Sequence, residues 1–370
     1  MKKACMFQCR RGQSQLNSDD LELALSSGGS AAVLAGVGTV AACELAGITK
    51  WRRLFGVSGG AIVTALLACG MKSSQLLRVA LEHDFDKLIS FGGGLMSPIF
   101  ACFGASVPQP SHPDWTESRF TGLYGSAGLG QIIENYASSF GLDKQWPENF
   151  STLATTKNGS PVVFNKDGVF LIDKRSGKET VLSNSPAPLG LAVRASATIP
   201  GVIAALRYKG IHLFDGALTE DGFCPVGINI RRFGARPDHV LACRVGEPSL
   251  KPMMGRFYRW ARRIWFISPH FNWGDETTGV MEVHPQIDHV HTLKFRLTQD
   301  EKWYGIMVSF EACLNRLAFA GLLHSDRLTA ARELMAKVGF WRDRNPSQCK
   351  KKPQPLADSA SRVFKEYGLL

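Results

Sequence analysis

Two glycine-serine turns, each wedged between a short apolar strand and a helix that is apolar on nearly every side, constrain this chain most. The first unit runs from a strand at residues 21–25, through Ser26-Ser27-Gly28-Gly29-Ser30, into a helix over about residues 32–46 that Gly47 ends. The second runs from a strand at residues 54–57 into a helix over about residues 60–69 that Gly70 ends. Strands and helices this apolar must be covered on both faces. The pattern therefore predicts a mainly parallel α/β sheet with helices above and below it. Residues 31–48 are the nearest approach to a membrane span. They are rich in Ala and Gly and carry Glu44, which fits a helix buried in a protein core.

Size and composition are consistent with that reading. The 370 residues are 45% hydrophobic and 20% charged, enough apolar material for a large core and too much for a disordered chain. Nine cysteines stand singly with no CxxC pair, which predicts reduced thiols and an intracellular folding compartment. The first residues are charged without a long apolar core, so they do not read as a secretory signal. On that reading the acceptor patterns at Asn149 and Asn158 are chance matches. The net charge of +11 favours acidic partners, nucleic acid or anionic membrane.

Further along, residues 129–140 read as a helix. Residues 161–165 and 169–173 form a hairpin through Asp167-Gly168, and residues 202–208 and 211–215 form a second through Lys209-Gly210. Residues 240–245 are a later strand, and residues 91–113, rich in Gly, Pro and Ser, read as a surface excursion. Past residue 250 the composition turns basic and Trp-rich. This divides the chain into a basic N-terminal segment (1–20), a main domain (21–250) and an extension (251–370).

Gly56-Val57-Ser58-Gly59-Gly60 joins the second strand to the second helix. Small residues around Ser58 permit a sharp turn that presents its hydroxyl at the strand end, and the following helix points its N-terminus there. Such turns also occur by chance. In a right-handed βαβ unit, however, the Gly28-Gly29-Ser30 turn emerges on the same sheet edge and frees several N–H groups. A hydroxyl beside a cluster of backbone donors is what acyl transfer needs. Asp215, at the end of an apolar strand and followed by Gly216, is the candidate base; the alternative is a turn-forming Asp.

Together LALSSGGS, FGVSGGAIVTALLACG, VRASATIPGVI and HLFDGAL, in this order over residues 21–245, resemble the patatin-like phospholipase family, with GLYGSAGLGQIIENY as its middle segment. The resemblance implies a three-layer α/β/α sandwich with a smaller, largely helical C-terminal extension. It implies hydrolysis of lipid acyl esters, with Ser58 as nucleophile and Asp215 completing a Ser–Asp dyad. The oxyanion hole would be Gly28, Gly29, Ser30 and Gly59, and the nucleophile elbow would include Gly56 and Gly60. No metal or other cofactor is required. The glycine turn departs from the family's G-G-G-x-R-G, reading GGSAAV with no basic residue. DGA stands for the commoner DGG, and the segment after it lacks the usual Asn. The lost basic residue keeps open a rival reading, a non-catalytic scaffold that binds acidic membrane or protein surfaces. A His-containing α/β-hydrolase triad is a further alternative, with His239 available.

MMGRFYRWARRIW, residues 253–265, separates into two faces at helical period. Phe257, Trp260, Ile264, Trp265 and the methionines share one side, and Arg256, Arg259, Arg262 and Arg263 the other. Residues 251–274 hold five basic residues and no acidic one. An aromatic face backed by arginines fits a helix lying in an anionic headgroup layer, and it equally fits a helix docked on a core. On the first reading Arg256, Phe257, Arg259, Trp260, Arg263 and Trp265 touch membrane, and the protein is cytoplasmic and peripherally membrane-associated. His284, Asp288, His289 and His291 are metal-capable types without a completing cluster, so no metal site is expected. No nucleic-acid motif or P-loop is present, and no nucleic-acid partner is expected.

Overall fold

The computed structural model describes residues 20–88, 110, 112–118, 121–142, 145–219, 223–245, 278–287, 290, 294–340 and 355–370. Its strands, in chain order, are β1 (Glu22–Leu25), β2 (Arg53–Gly56), β3 (Trp115–Glu117), β4 (Gly122–Tyr124), β5 (Phe150–Thr156), β6 (Pro161–Asn165), β7 (Gly168–Ile172), β8 (Glu179–Ser183), β9 (Gly201–Ile203), β10 (Leu206–Tyr208), β11 (Ile211–Asp215), β12 (Val240–Cys243) and β13 (Met281–Val283). Its helices are α1 (Gly29–Leu45), α2 (Gly59–Ala68), α3 (Ser73–Glu82), α4 (Phe85–Leu88), α5 (Ala127–Ser139), α6 (Leu189–Ser196), α7 (Val226–Phe233), α8 (Gln299–Phe319), α9 (Ser325–Val338) and α10 (Ala357–Glu366).

The predicted parallel sheet is present: β13, β12, β1, β2 and β5 are successive parallel neighbours. Beyond β5 the pairing turns antiparallel, through β6, β7 and β8 on one path and through β11, β10 and β3 on the other. The alternation of strand side chains sorts the core into layers. Leu23, Leu25 and Leu54 face the large cluster built with α1, α2 and α8, while Ala24, Phe55 and Val57 face smaller clusters built with α7. This is the α/β/α sandwich.

Helix α1 is apolar all round because it is enclosed all round. Gly36 leaves room for Leu25 and Val63, and a Cβ on Gly38 would lie 2.3 Å from the Ile306 carbonyl oxygen of α8. The two helices therefore meet backbone to backbone. β13 extends the same sheet beside β12, and α8 shares the large core cluster with α1. Among the described residues no helix is long and apolar enough to cross a membrane.

One predicted hairpin is modified. Residues 202–208 are two strands rather than one: β9 pairs with β4, and β10 pairs with β11 and β3. Alternating apolar residues mark both pieces alike, so sequence periodicity does not reveal the change of partner at Ala204-Ala205. Residues 91–109 and the aromatic-arginine segment at 253–265 lie outside the described residues.

Candidate active site

The topology of β5 brings two distant parts of the chain together. β6 occupies one edge of β5 over Thr152–Thr155. β2, paired with residues 150–152, and β11, paired with residues 154–156, must therefore share the other edge. They run towards each other along it. Gly56 stands opposite Thr152 and Asp215 opposite Ala154, so the two strand ends are separated by only two residues of β5, roughly 7 Å. The junction is closely packed: a Cβ on Gly216 would lie 2.3 Å from the Leu153 carbonyl oxygen and 2.9 Å from a Val57 methyl.

Ser58 sits at this junction in a backbone conformation that few side-chain-bearing residues adopt, φ 54° and ψ −122°. Among the described non-glycine residues only Lys209 shares its positive φ. Such a conformation costs about 1–3 kcal/mol and persists only where the surroundings enforce it. Here the flanking glycines make it sterically possible. Helix α2 folds back across Gly56, where a Cβ would lie 2.2 Å from Thr64 Oγ1, and a Cβ on Gly60 would lie 2.5 Å from the Leu25 carbonyl oxygen. A Cβ on Gly59 would lie 2.3 Å from the Gly29 carbonyl oxygen, so the elbow and the first glycine turn are in contact.

That first turn is held from three sides. Ser26 N–H donates to the Cys243 carbonyl and Ser27 N–H to the Phe223 carbonyl. The Ser26 hydroxyl accepts from Val245 N–H and donates to the Ser27 carbonyl. Gly28 (φ 146°) and Gly29 (φ 58°) then take backbone angles that a Cβ disfavours. Among the described residues the N–H groups of Gly28, Gly29, Ser30 and Gly59 donate to no backbone carbonyl. Main-chain donors left over at a helix start are the kind of group that can receive an anionic oxygen.

Ser58 and Asp215 are both buried, 2% and 4% exposed. Burial pushes the Asp215 carboxyl up to about 6, while hydrogen bonds from the Ser58 hydroxyl, the Ala217 N–H and the Ser27 hydroxyl pull the other way. The Ala217 N–H contact is 2.9 Å long. A carboxylate with this basicity is closer to the working range of a general base than a solvated one.

Three groups around the pair are not among the sequence-derived candidates: the Ser27 hydroxyl on Asp215, the Ser196 hydroxyl, which accepts from Ser58 N–H at 2.9 Å, and the Thr198 carbonyl, which accepts from Asp215 N–H at 2.7 Å. Ser196 and Thr198 lie in VRASATIPGVI, but the motif does not indicate which atoms they bind. His239 is ruled out as a partner of Ser58. It precedes β12 at the opposite end of the parallel strands, six residue steps from Ser58 in register, about 20 Å. Among the described residues no group of His, Cys, Asp and Glu could hold a metal ion. His284 is engaged with Glu282 at 2.8 Å, while Asp288, His289 and His291 lie outside the described residues. So do Arg256, Phe257, Arg259, Trp260, Arg263 and Trp265.

The family model described as patatin-like phospholipase matches residues 23–228, more than half of the chain. No curated protein sequence matches. Among solved structures, VipD from Legionella pneumophila is similar at 12% identity over 82% of this chain and 67% of VipD, with a TM-score of 0.45. The type III effector protein ExoU is similar at 10% identity over 95% of this chain and 69% of ExoU, with a TM-score of 0.40. Human GIVD cytosolic phospholipase A2, solved with methyl gamma-linolenyl fluorophosphonate and terbium chloride, is similar at 12% identity over 87% of this chain and 61% of that one, with a TM-score of 0.42.

Proposed function

The chain belongs to the patatin-like phospholipase family, and from that premise we propose that it is a serine lipid acyl hydrolase, phospholipase A-like, acting on membrane lipids through Ser58 and Asp215. The observation that carries this reading is the head-on approach of β2 and β11 along one edge of β5, which sets a strained serine against a buried carboxylate. The Ser58 hydroxyl attacks the ester carbonyl while Asp215 takes its proton. The tetrahedral oxyanion is received by the N–H groups of the Gly28-Gly29-Ser30 turn and of Gly59. The alcohol or lysolipid leaves with the proton that Asp215 held; water, deprotonated by the same carboxylate, then attacks the acyl carbon, and the fatty acid is released as Asp215 returns the proton to Ser58 Oγ. These amides are fixed by the fold before substrate arrives, so this stabilisation requires no reorganisation during reaction.

The substrate is an acyl lipid at an anionic membrane surface, which the net charge of +11 and the arginine-aromatic segment at 253–265 support. The test is labelling with a fluorophosphonate probe alongside release of fatty acid from phospholipid vesicles. Wild type should label stoichiometrically, and Ser58→Ala should neither label nor release fatty acid. Asp215→Asn should lose at least about a hundredfold in rate, the scale of general-base assistance. A folded wild type that neither labels nor hydrolyses would overturn the reading in favour of a non-catalytic scaffold.

A further inference from the structure

We propose that Ser196 is a positioning residue: its hydroxyl and the Thr198 carbonyl form a two-point clamp on the backbone amides of Ser58 and Asp215, setting how far apart those residues stand. The inference rests on the Ser58–Asp215 reading above and adds the device that holds the pair in register. Ser196 is fully buried and accepts from Ser58 N–H at 2.9 Å across 138 residues of sequence. Two residues on, Thr198, also fully buried, accepts from Asp215 N–H at 2.7 Å. One short segment thus grips both strand ends where they meet. The main-chain ladder of β5 alone does not do this, because β2 and β11 each end before reaching the other.

A clamp must itself be immobile, and this one is anchored away from the pair. Arg194 of α6 forms a buried ion pair with Glu117 at 2.9 Å and donates to the Ser126 hydroxyl at 3.2 Å. Gly190 N–H, at the start of α6, donates to the Glu134 carboxylate at 2.6 Å. The Thr198 hydroxyl donates to the Arg194 carbonyl at 2.8 Å, fixing the turn that follows the helix. Helix α6 is therefore tied to β3 and α5 by contacts that involve neither Ser58 nor Asp215. The strained conformation of Ser58 explains the need: without an acceptor for its N–H, the elbow would relax towards an ordinary turn and carry the hydroxyl off line.

The experiment compares wild type, Ser196→Ala, Ser196→Cys and Ser196→Thr. Cysteine preserves volume but is a poor acceptor, whereas threonine retains the oxygen. Three quantities are read on the full chain: the fluorophosphonate labelling rate constant, kcat and KM for a short-chain nitrophenyl ester, and hydrogen exchange at the Ser58 amide. Ala and Cys variants should label and turn over about 10- to 100-fold more slowly with KM unchanged. Their Ser58 amide should exchange at least roughly tenfold faster, and Thr should restore both. Wild-type labelling and exchange in Ser196→Cys would overturn the clamp. Amide exchange reads the clamp without reference to turnover. Faster exchange in a protein whose wild type neither labels nor hydrolyses would support the clamp while sinking the hydrolase reading. Unchanged exchange would sink the clamp whatever the activity.

Discussion

At Asp215 a carboxylate is kept where water cannot solvate it, and the consequences for stability and for chemistry have opposite signs. Burial raises its pKa from 3.8 to about 6, so the folded protein holds this proton more tightly than the unfolded chain does. The stabilisation from that proton is fully present below the unfolded value of 3.8 and is lost as pH rises through about 6. At pH 7 the ionised group thus destabilises the fold by about 3 kcal/mol. Asp215→Asn should therefore melt higher than wild type at pH 7 and show no such gain at pH 4; an equal Tm at pH 7 would contradict this. In the same protein kcat/KM for ester hydrolysis should rise with pH and level off above about 6, following ionisation of the base. A rate that increases steadily from pH 5 to 9 would point to another group. Ser58 stores strain in the same sense, since its φ of 54° is one the chain would not choose unaided.

At the scale of elements, the important contact lies between two strand-to-helix turns. The starts of α1 and α2 touch through Gly29 and Gly59, with no side chain between them. Gly59→Ala would drive a methyl group to 2.3 Å from a backbone oxygen that cannot step aside. The expected result is a loss of about 1–3 kcal/mol in stability, measured by urea unfolding, together with slower fluorophosphonate labelling. Labelling at the wild-type rate would mean that the turns need not touch. Helix α6 is the other decisive element, because a buried ion pair holds it and it ends in the residue that grips Ser58. Some of this was available to sequence reasoning. The glycines at positive φ, the two apolar helices and the hairpin β6–β7 follow from local signals. The start of α8 also carries a legible signal, the reciprocal capping box of Thr298 and Glu301, although the sequence reading assigns no element there. Its first half is buried on most sides, which hides the helical period.

For the whole molecule, a net charge of +11 sets a long-range field that favours acidic partners. We expect co-sedimentation with vesicles containing phosphatidylserine and little with neutral ones. Binding should fall as salt shortens the screening length from about 10 Å at 0.1 M to about 3 Å at 1 M. Replacing Arg256, Arg259 and Arg263 with Gln should weaken it further. Equal binding to neutral and anionic vesicles would show that charge is not the attraction. Among the described residues the large core cluster joins early and late parts of the chain: α8 packs on α1 at Gly38, and β13 is the last strand of the parallel half of the sheet.

The amino-acid order alone determined what short-range physics controls: where the chain turns, which segments are apolar enough to need covering on both faces, and which residue types are capable of acyl chemistry. It did not determine which of those residues meet. That β2 and β11 would converge on one edge of β5, that Ser196 would grip a backbone amide 138 residues away, and that His239 would fall at the far end of the parallel strands were decided only by tertiary structure. Strand pairing is a choice among many partners of similar apolar pattern. The choice is settled by packing of the whole sheet rather than by any segment within it.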